Sequence, residues 1–236
     1  MSTTTSNETV FYLDQEHPGV RYSVVLILLI AFVGSFAAIN AALREAYPTL
    51  NTTVILACLG AIPVTLLFSA IGEWLLKRTW RSGRILKMGS NFITLQTPGR
   101  DHRLIDCGKN VNQLWWRLPL AGYPRGGRER RIPASWHCLA GQLQQDDTRI
   151  VVYCYAPARH MRTWLDHYEF EKLKPEDVYD TSFAARLGSP RRPEVPPEVV
   201  AGKQGRFWLA ERNRWREGVE LTHQDFRELL KLVRAT

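Results

Sequence analysis

The sequence predicts a membrane α-hairpin followed by a mainly β (α+β) cytoplasmic domain, a bent antiparallel sheet or partial barrel with a C-terminal helix. Two long apolar runs lie near the N-terminus of the 236-residue chain. Aromatic and β-branched residues in short alternating stretches fill most of the remainder. We therefore divide the chain into a cytoplasmic N-terminal tail (1–21), a two-helix transmembrane hairpin (22–76) and a cytoplasmic domain (77–236).

The two apolar runs each have the length of a membrane span. The first, Tyr22–Leu43, holds no charged residue, and the second, Thr52–Leu76, holds only Glu73. A bilayer core about 30 Å thick requires roughly 20 such residues as a helix. A cleaved signal peptide is disfavoured because the leader is polar and acidic and the first run is too long. The short connection between the runs predicts antiparallel helices.

Basic residues predict how the hairpin is oriented. Lys and Arg accumulate just after the second run, whereas the connection between the runs contains only Arg44. Because Lys and Arg favour the cytoplasmic side, we expect both termini inside and residues 44–51 outside. The chain is then a multi-pass protein of a bacterial inner (cytoplasmic) membrane. The basic residues at this exit are Lys77, Arg78, Arg81, Arg84 and Lys87.

Small residues on the first helix indicate a close helix contact. Gly34, Ala38 and Ala42 recur every four residues, a spacing that lets helix backbones approach. We favour packing of the two spans on each other, and a homo-oligomer built through this face stays open.

After the hairpin the sequence pattern becomes that of strands. Two short strands are predicted at Arg84–Met88 and Phe92–Thr97, and a longer hairpin at Trp136–Leu143 and Ile150–Tyr155. Residues of these types suit a pleated, half-buried surface. A last strand pair is predicted at Arg206–Glu211 and Gly218–Leu221, after a Pro-rich, extended insertion at 186–205.

The chain ends in a predicted amphipathic helix. Thr222 is a suitable N-cap with Asp225 three residues later. Phe226, Leu229 and Leu230 then recur at helical spacing and mark one apolar face.

The order of these elements resembles that of bacterial two-span membrane proteins that carry a pleckstrin-homology-like (PH-like) domain. The resemblance rests on the strands at Arg84–Thr97 just past the hairpin and on the closing segment Gly218–Val233. It is one of architecture and covers about half of the cytoplasmic part. It implies a strongly bent antiparallel sheet capped by the terminal helix, and it carries over no functional residue.

The sequence offers little for catalysis or metal binding. Cys107 beside Asp106, or Cys138 beside His137, could serve as a thiol with a base, and a membrane-tethered thiol enzyme is therefore one alternative function. No His or Cys spacing matches the usual zinc pairs. We therefore predict no metal, no cofactor and no catalytic residue.

Charge points to an acidic partner for the C-terminal part, where 29 Lys and Arg face 18 Asp and Glu. A nucleic-acid binder is disfavoured because the hairpin holds this charge beside lipid. We predict a non-catalytic docking or scaffold protein that contacts anionic membrane lipid or a partner protein. An accessory subunit of a larger membrane enzyme complex is a further alternative. The predicted contact residues are the five at the exit, together with a second cluster in a loop: Arg125, Arg128, Arg130 and Arg131.

Overall fold

The computed structural model describes residues 8–14, 18–49, 51–120, 132–133, 135–165, 167–179 and 194–235. The chain forms two compact units. One spans residues 15–82, and the other joins the residues up to 14 to those from 83 onward.

The first unit is the predicted helical hairpin. Helix α1 spans Pro18–Ala46 and α2 spans Thr53–Thr79. Both helices are long and apolar enough to cross a membrane by length and composition. The large apolar side chains of both helices are mostly exposed.

The close contact between the helices is made by small residues of α2. Its buried positions recur every four residues: Thr53, Ala57, Ala61, Thr65 and Ser69. The Ser35 and Thr65 hydroxyl oxygens lie 3.3 Å apart across the contact. Small side chains let the backbones approach, and hydroxyl pairs between helices add to the contact.

The predicted packing residues of α1 do not face α2. Gly34, Ala38 and Ala42 are exposed, and a side chain added at Gly34 would meet nothing within 4 Å. Gly34 and Ala38 line an apolar groove beside the helix contact. These exposed residues therefore do not form the contact between α1 and α2, and packing of a second copy on this face stays a prediction.

The second unit contains two sheets. Sheet A is antiparallel with the order β1-β2-β3-β4, and sheet B is mixed with the order β8-β5-β6-β7-β9. The strands of sheet A are β1 (Thr9–Tyr12), β2 (Ile85–Met88), β3 (Phe92–Gln96) and β4 (Arg103–Asp106). Those of sheet B are β5 (Asn112–Pro119), β6 (Trp136–Gln145), β7 (Thr148–Pro157), β8 (Glu171–Lys172) and β9 (Val219–Glu220). The predicted strand pairs β2–β3 and β6–β7 are confirmed.

Helices complete the second unit. They are α3 (Ala158–Leu165), α4 (Pro197–Ala201), α5 (Gly205–Glu217) and α6 (His223–Ala235), with a short 3₁₀ helix at Pro175–Asp177. The predicted C-terminal helix is confirmed as α6. Its cap is also present, because the Asp225 amide donates to the Thr222 hydroxyl at 3.1 Å and that hydroxyl donates to the Asp225 carboxylate at 2.7 Å.

The strand predicted at Arg206–Glu211 is wrong, since this segment is part of α5. The buried positions Phe207, Trp208, Ala210, Glu211 and Arg214 follow helical spacing. Four aromatic or branched residues in a short window satisfy either period, and the extra turn from Arg212 to Glu217 decides for the helix.

Sheet B is the middle layer of the unit. Alternate residues of β7 point to opposite faces, with Ile150, Val152 and Cys154 in one core and Val151 and Tyr153 in another. The first core also contains residues of sheet A and α6, such as Phe11, Leu86 and Phe226. The second contains Phe207 and Trp208 of α5. Strand β7 is buried on both faces as a result.

The N-terminal segment belongs to the second unit. Strand β1 pairs antiparallel with β2, and Phe11 and Leu13 are buried in the first core. The prediction of a tail at residues 1–21 does not hold for Thr9–Tyr12, which form a strand whose partner lies beyond both helices of the hairpin. The insertion predicted at 186–205 falls partly outside the described residues, and its described end carries α4.

Candidate functional site

Both connections to the helical hairpin leave sheet A at the same end, where β1 ends and β2 begins; this end is called the edge below. Tyr12, at the end of β1, pairs with Ile85 at the start of β2, and Ile85 pairs with Gln96 at the end of β3. Asp14 fixes this edge. Its carboxylate accepts hydrogen bonds from the Arg84 guanidinium at 2.8 Å and from the Glu220 amide at 3.0 Å.

A polar cavity of about 1080 Å³, hereafter the edge cavity, lies at this edge. Gly83, Gln96 and Arg149 are among the residues that line it. Two arginines share one carboxylate there. Arg103 Nη1 lies 2.7 Å from Glu217 Oε2, and Arg149 Nε pairs with Glu217 Oε1. These pairs link β4, β7 and the end of α5.

The charges of the edge cavity balance. Arg100, Arg103 and Arg149 line it together with three carboxylates, Asp101, Asp147 and Glu217. The cavity therefore offers hydrogen-bond donors and acceptors rather than a field of one sign, and it suits a polar or zwitterionic group.

The predicted exit residues have different environments. Arg84 pairs with Asp14, and Lys87 pairs with Glu8 at 3.6 Å, so both charges are balanced inside the second unit. In α2, Lys77 pairs with Glu73, and the Arg78 guanidinium lies 5.4 Å from the Trp74 ring centroid. Arg78 and Arg81 are exposed.

The structure does not describe the second predicted cluster of contact residues. Its members, Arg125, Arg128, Arg130 and Arg131, lie outside the described residues.

The candidate thiols are poorly suited to nucleophilic attack. Complete burial raises the pKa of the Cys138 thiol to about 12. Burial, reinforced by the Asp106 carboxylate, also raises the pKa of the Cys107 thiol. Because the thiolate is the reactive form, both groups are held in the less reactive state. Within the described ranges, no group of three or more His, Cys, Asp or Glu residues could hold a metal ion.

The most heavily bonded polar group in the second core is one that the sequence analysis missed. Glu211 is fully buried, and the Arg214 guanidinium donates to both of its carboxylate oxygens, at 2.8 and 2.6 Å. Trp116 Nε1 donates to Glu211 at 2.8 Å, and the Tyr179 hydroxyl donates at 3.2 Å. Arg214 also lies 4.9 Å from the Tyr153 ring centroid.

This network attaches α5 to sheet B. Its only signal in the sequence is the three-residue spacing of Glu211 and Arg214, which places both on one face of a helix but on opposite faces of a strand. In the strand predicted at Arg206–Glu211, Glu211 would not have faced Arg214, so the ion pair was not expected. Both carboxylate oxygens of Glu211 accept hydrogen bonds from neighbouring side chains, so the network serves to position α5.

No protein-family model, curated protein or solved structure matches the chain.

Proposed function

We propose that the chain is a membrane-anchored, non-catalytic docking protein whose β-rich unit is held at the surface of a bacterial inner membrane. In this proposal α1 and α2 cross the membrane, both termini are cytoplasmic, and the β-rich unit has a PH-like fold. Two packed sheets closed by a C-terminal helix support the fold proposal. The parallel edge strands β8 and β9 and the added helix α5 are departures from it.

The observation that carries the proposal is the pairing of β1 with β2. These strands lie on either side of the hairpin in sequence and share one sheet. Both ends of the hairpin must therefore lie on the same side of any membrane that it enters. Two spans satisfy this requirement, and a single span would not.

Charge supports contact with anionic lipid. Lys77, Arg78 and Arg81 follow the second span directly. Each Lys or Arg at a membrane surface contributes about 1 kcal/mol toward anionic lipid. The edge cavity, with its balanced hydrogen-bond donors and acceptors, suits a polar headgroup or a polar group of a partner protein.

The orientation can be tested by thiol labelling in intact cells. We expect Tyr47→Cys, in the connection between the helices, to react with a membrane-impermeant maleimide from outside. Lys109→Cys, on an exposed turn of the β-rich unit, should react only after the membrane is permeabilised. Labelling of Lys109→Cys in intact cells would contradict the proposed orientation.

The lipid contact can be tested by measuring which lipids the purified full chain retains. We expect the wild type to enrich anionic over zwitterionic lipid, and a Lys77→Gln, Arg78→Gln, Arg81→Gln variant to lose most of this enrichment. The matched control removes three exposed lysines elsewhere, Lys109, Lys174 and Lys203, and should retain it. Equal retention by the two variants would refute a specific role for the exit residues.

A further inference from the structure

A second cavity, of about 580 Å³, lies within the β-rich unit beside β5 and β8. Aromatic side chains form much of its wall: Trp115, Tyr168, Phe170 and Phe207. Trp115 and Phe170 meet edge to face with their ring centroids 6.3 Å apart, and Phe170 and Phe207 are buried. Its volume lies in the range of cavities that hold small organic molecules.

Two arginines line this cavity. Arg206 is exposed, with its guanidinium 4.8 Å from the Phe207 ring centroid, and Arg117 is the less exposed of the two. Arg117, on β5, is partly buried, and its Nε is shielded from solvent with no hydrogen-bond acceptor. Its Nη1 meets only the Met161 sulfur, at 3.8 Å, and a thioether is a weak acceptor. No carboxylate of the described residues lies within ion-pair distance of Arg117. A partly buried charge in this state is costly, and an anion would relieve the cost.

Lys172 and His137 are basic side chains of sheet B close to Arg117. Within sheet B, Arg117 pairs with Leu139 of β6 and Lys172 of β8, and His137 lies two residues before Leu139. The His137 Nδ1 atom is also buried without a partner. Burial first, and then the charges of Arg117 and Lys172, lower the pKa of His137.

Carboxylates limit the charge of a ligand that this cavity accepts. Glu169 and Glu171 also line the cavity. Glu169 is exposed, where water screens it, and Glu171 accepts a hydrogen bond from Gln204 at 2.6 Å. Both would repel a multiply charged anion more strongly than a singly charged one.

We propose that this cavity binds a small organic acid with a flat aromatic body and a single carboxylate. The carboxylate pairs with the Arg117 guanidinium, and the aromatic body packs against Trp115 and Phe170. A guanidinium can donate two parallel hydrogen bonds to a carboxylate, which fixes the ligand's orientation. This inference is independent of membrane docking, because every residue that carries it belongs to the β-rich unit.

Equilibrium dialysis with a charged and a neutral probe of one shape tests the proposal. The probes are 2-naphthoate and 2-naphthamide, the sample is the full chain in lipid nanodiscs, and empty nanodiscs correct for partition into lipid. We expect the wild type to bind 2-naphthoate at least tenfold more tightly than 2-naphthamide. Arg117→Met should bind both probes equally. Arg216→Met, which removes an exposed arginine of α5 that lines neither cavity, should behave as the wild type.

Two further measurements separate loss of the site from loss of the fold. Protection of the buried thiols Cys138 and Cys154 from alkylation should be unchanged in Arg117→Met. Arg117→Lys keeps the charge but loses the paired donors, so it should bind 2-naphthoate several-fold more weakly than the wild type while still preferring it to the amide. The proposal is overturned if the wild type binds neither probe or both equally, or if Arg117→Met keeps the preference.

Discussion

The buried pair of Glu211 and Arg214 allows a quantitative prediction for the stability of the β-rich unit. Replacing Glu211 by Met would leave the Arg214 guanidinium, which is 6 % exposed, without a counter-charge in an apolar core. Removing one partner of a buried ion pair costs about 3–5 kcal/mol. The same substitution removes the acceptor of Trp116 Nε1, which the structure buries completely.

The double variant should be much less damaged than the single one. When both members of a buried pair are replaced by apolar residues of similar size, the change in stability is often close to zero. We therefore expect Glu211→Met/Arg214→Met to be more stable than Glu211→Met by about 2–4 kcal/mol, since its core holds no unpaired charge. The Tyr179 and Trp116 donors remain unsatisfied in both variants and cancel in the comparison.

Alkylation of native thiols provides the assay. Cys138 lies in the same core as the pair, and Cys154 lies in the other core. Because a buried thiol reacts only after the core opens, its alkylation rate follows the opening equilibrium. A loss of 3–5 kcal/mol should accelerate alkylation of Cys138 by two to three and a half orders of magnitude.

Glu228, an exposed carboxylate on α6, provides the matched control. Glu228→Met removes an exposed carboxylate from α6 and should leave the rate unchanged within about twofold, because exposed single charges contribute little. The reasoning is refuted if Glu211→Met protects Cys138 as well as the wild type does. It is equally refuted if the effects of the two single substitutions simply add in the double variant.

Three further predictions concern other parts of the unit. Asp14→Ala should lower the free energy of unfolding by about 2–3 kcal/mol, because the Arg84 and Glu220 donors lose their acceptor. Resistance of β1 to proteolysis measures this change. Asp14→Asn should cost less, and equal losses would contradict this account. Gly141→Val should lower the melting temperature, because a Cβ there would lie 2.1 Å from the Trp115 ring, while Gly34→Ala, with open space around it, should not. Stability should fall as the pH drops below about 6.5, because burial and Arg117 lower the pKa of His137 in the folded chain and the unfolded chain therefore binds the proton more readily. His137→Gln should reduce this loss of stability. An unchanged pH profile in that variant would contradict the prediction.

Local sequence patterns were sufficient for the elements whose partners are close in sequence. The β6–β7 pair alternates aromatic and branched residues around a short turn, and α6 carries both its cap and its apolar face. The two apolar runs specify α1 and α2 in the same way, because length and composition are local properties.

The elements that the sequence analysis missed depend on distant partners. Thr9–Tyr12 is a plain four-residue segment until β2 is placed beside it, and Asp14 and Arg84, which pair at that edge, are 70 residues apart. The segment that became α5 has aromatic residues that fit either period, and its helical state is favoured by the pairing of Glu211 with Arg214. The cavity beside β5 and β8 combines residues of β5, β8 and α5 with the segment after α3, so no single stretch of sequence indicates it.

The order of synthesis gives the first strand a particular consequence. Residues 9–12 leave the ribosome before either helix of the hairpin, yet their hydrogen-bonding partners are made only after both helices are complete. Phe11 and Leu13 therefore stay unburied until the residues of their core that follow α2 have been synthesised. Any truncation before β2 would leave these two side chains without the sheet that buries them.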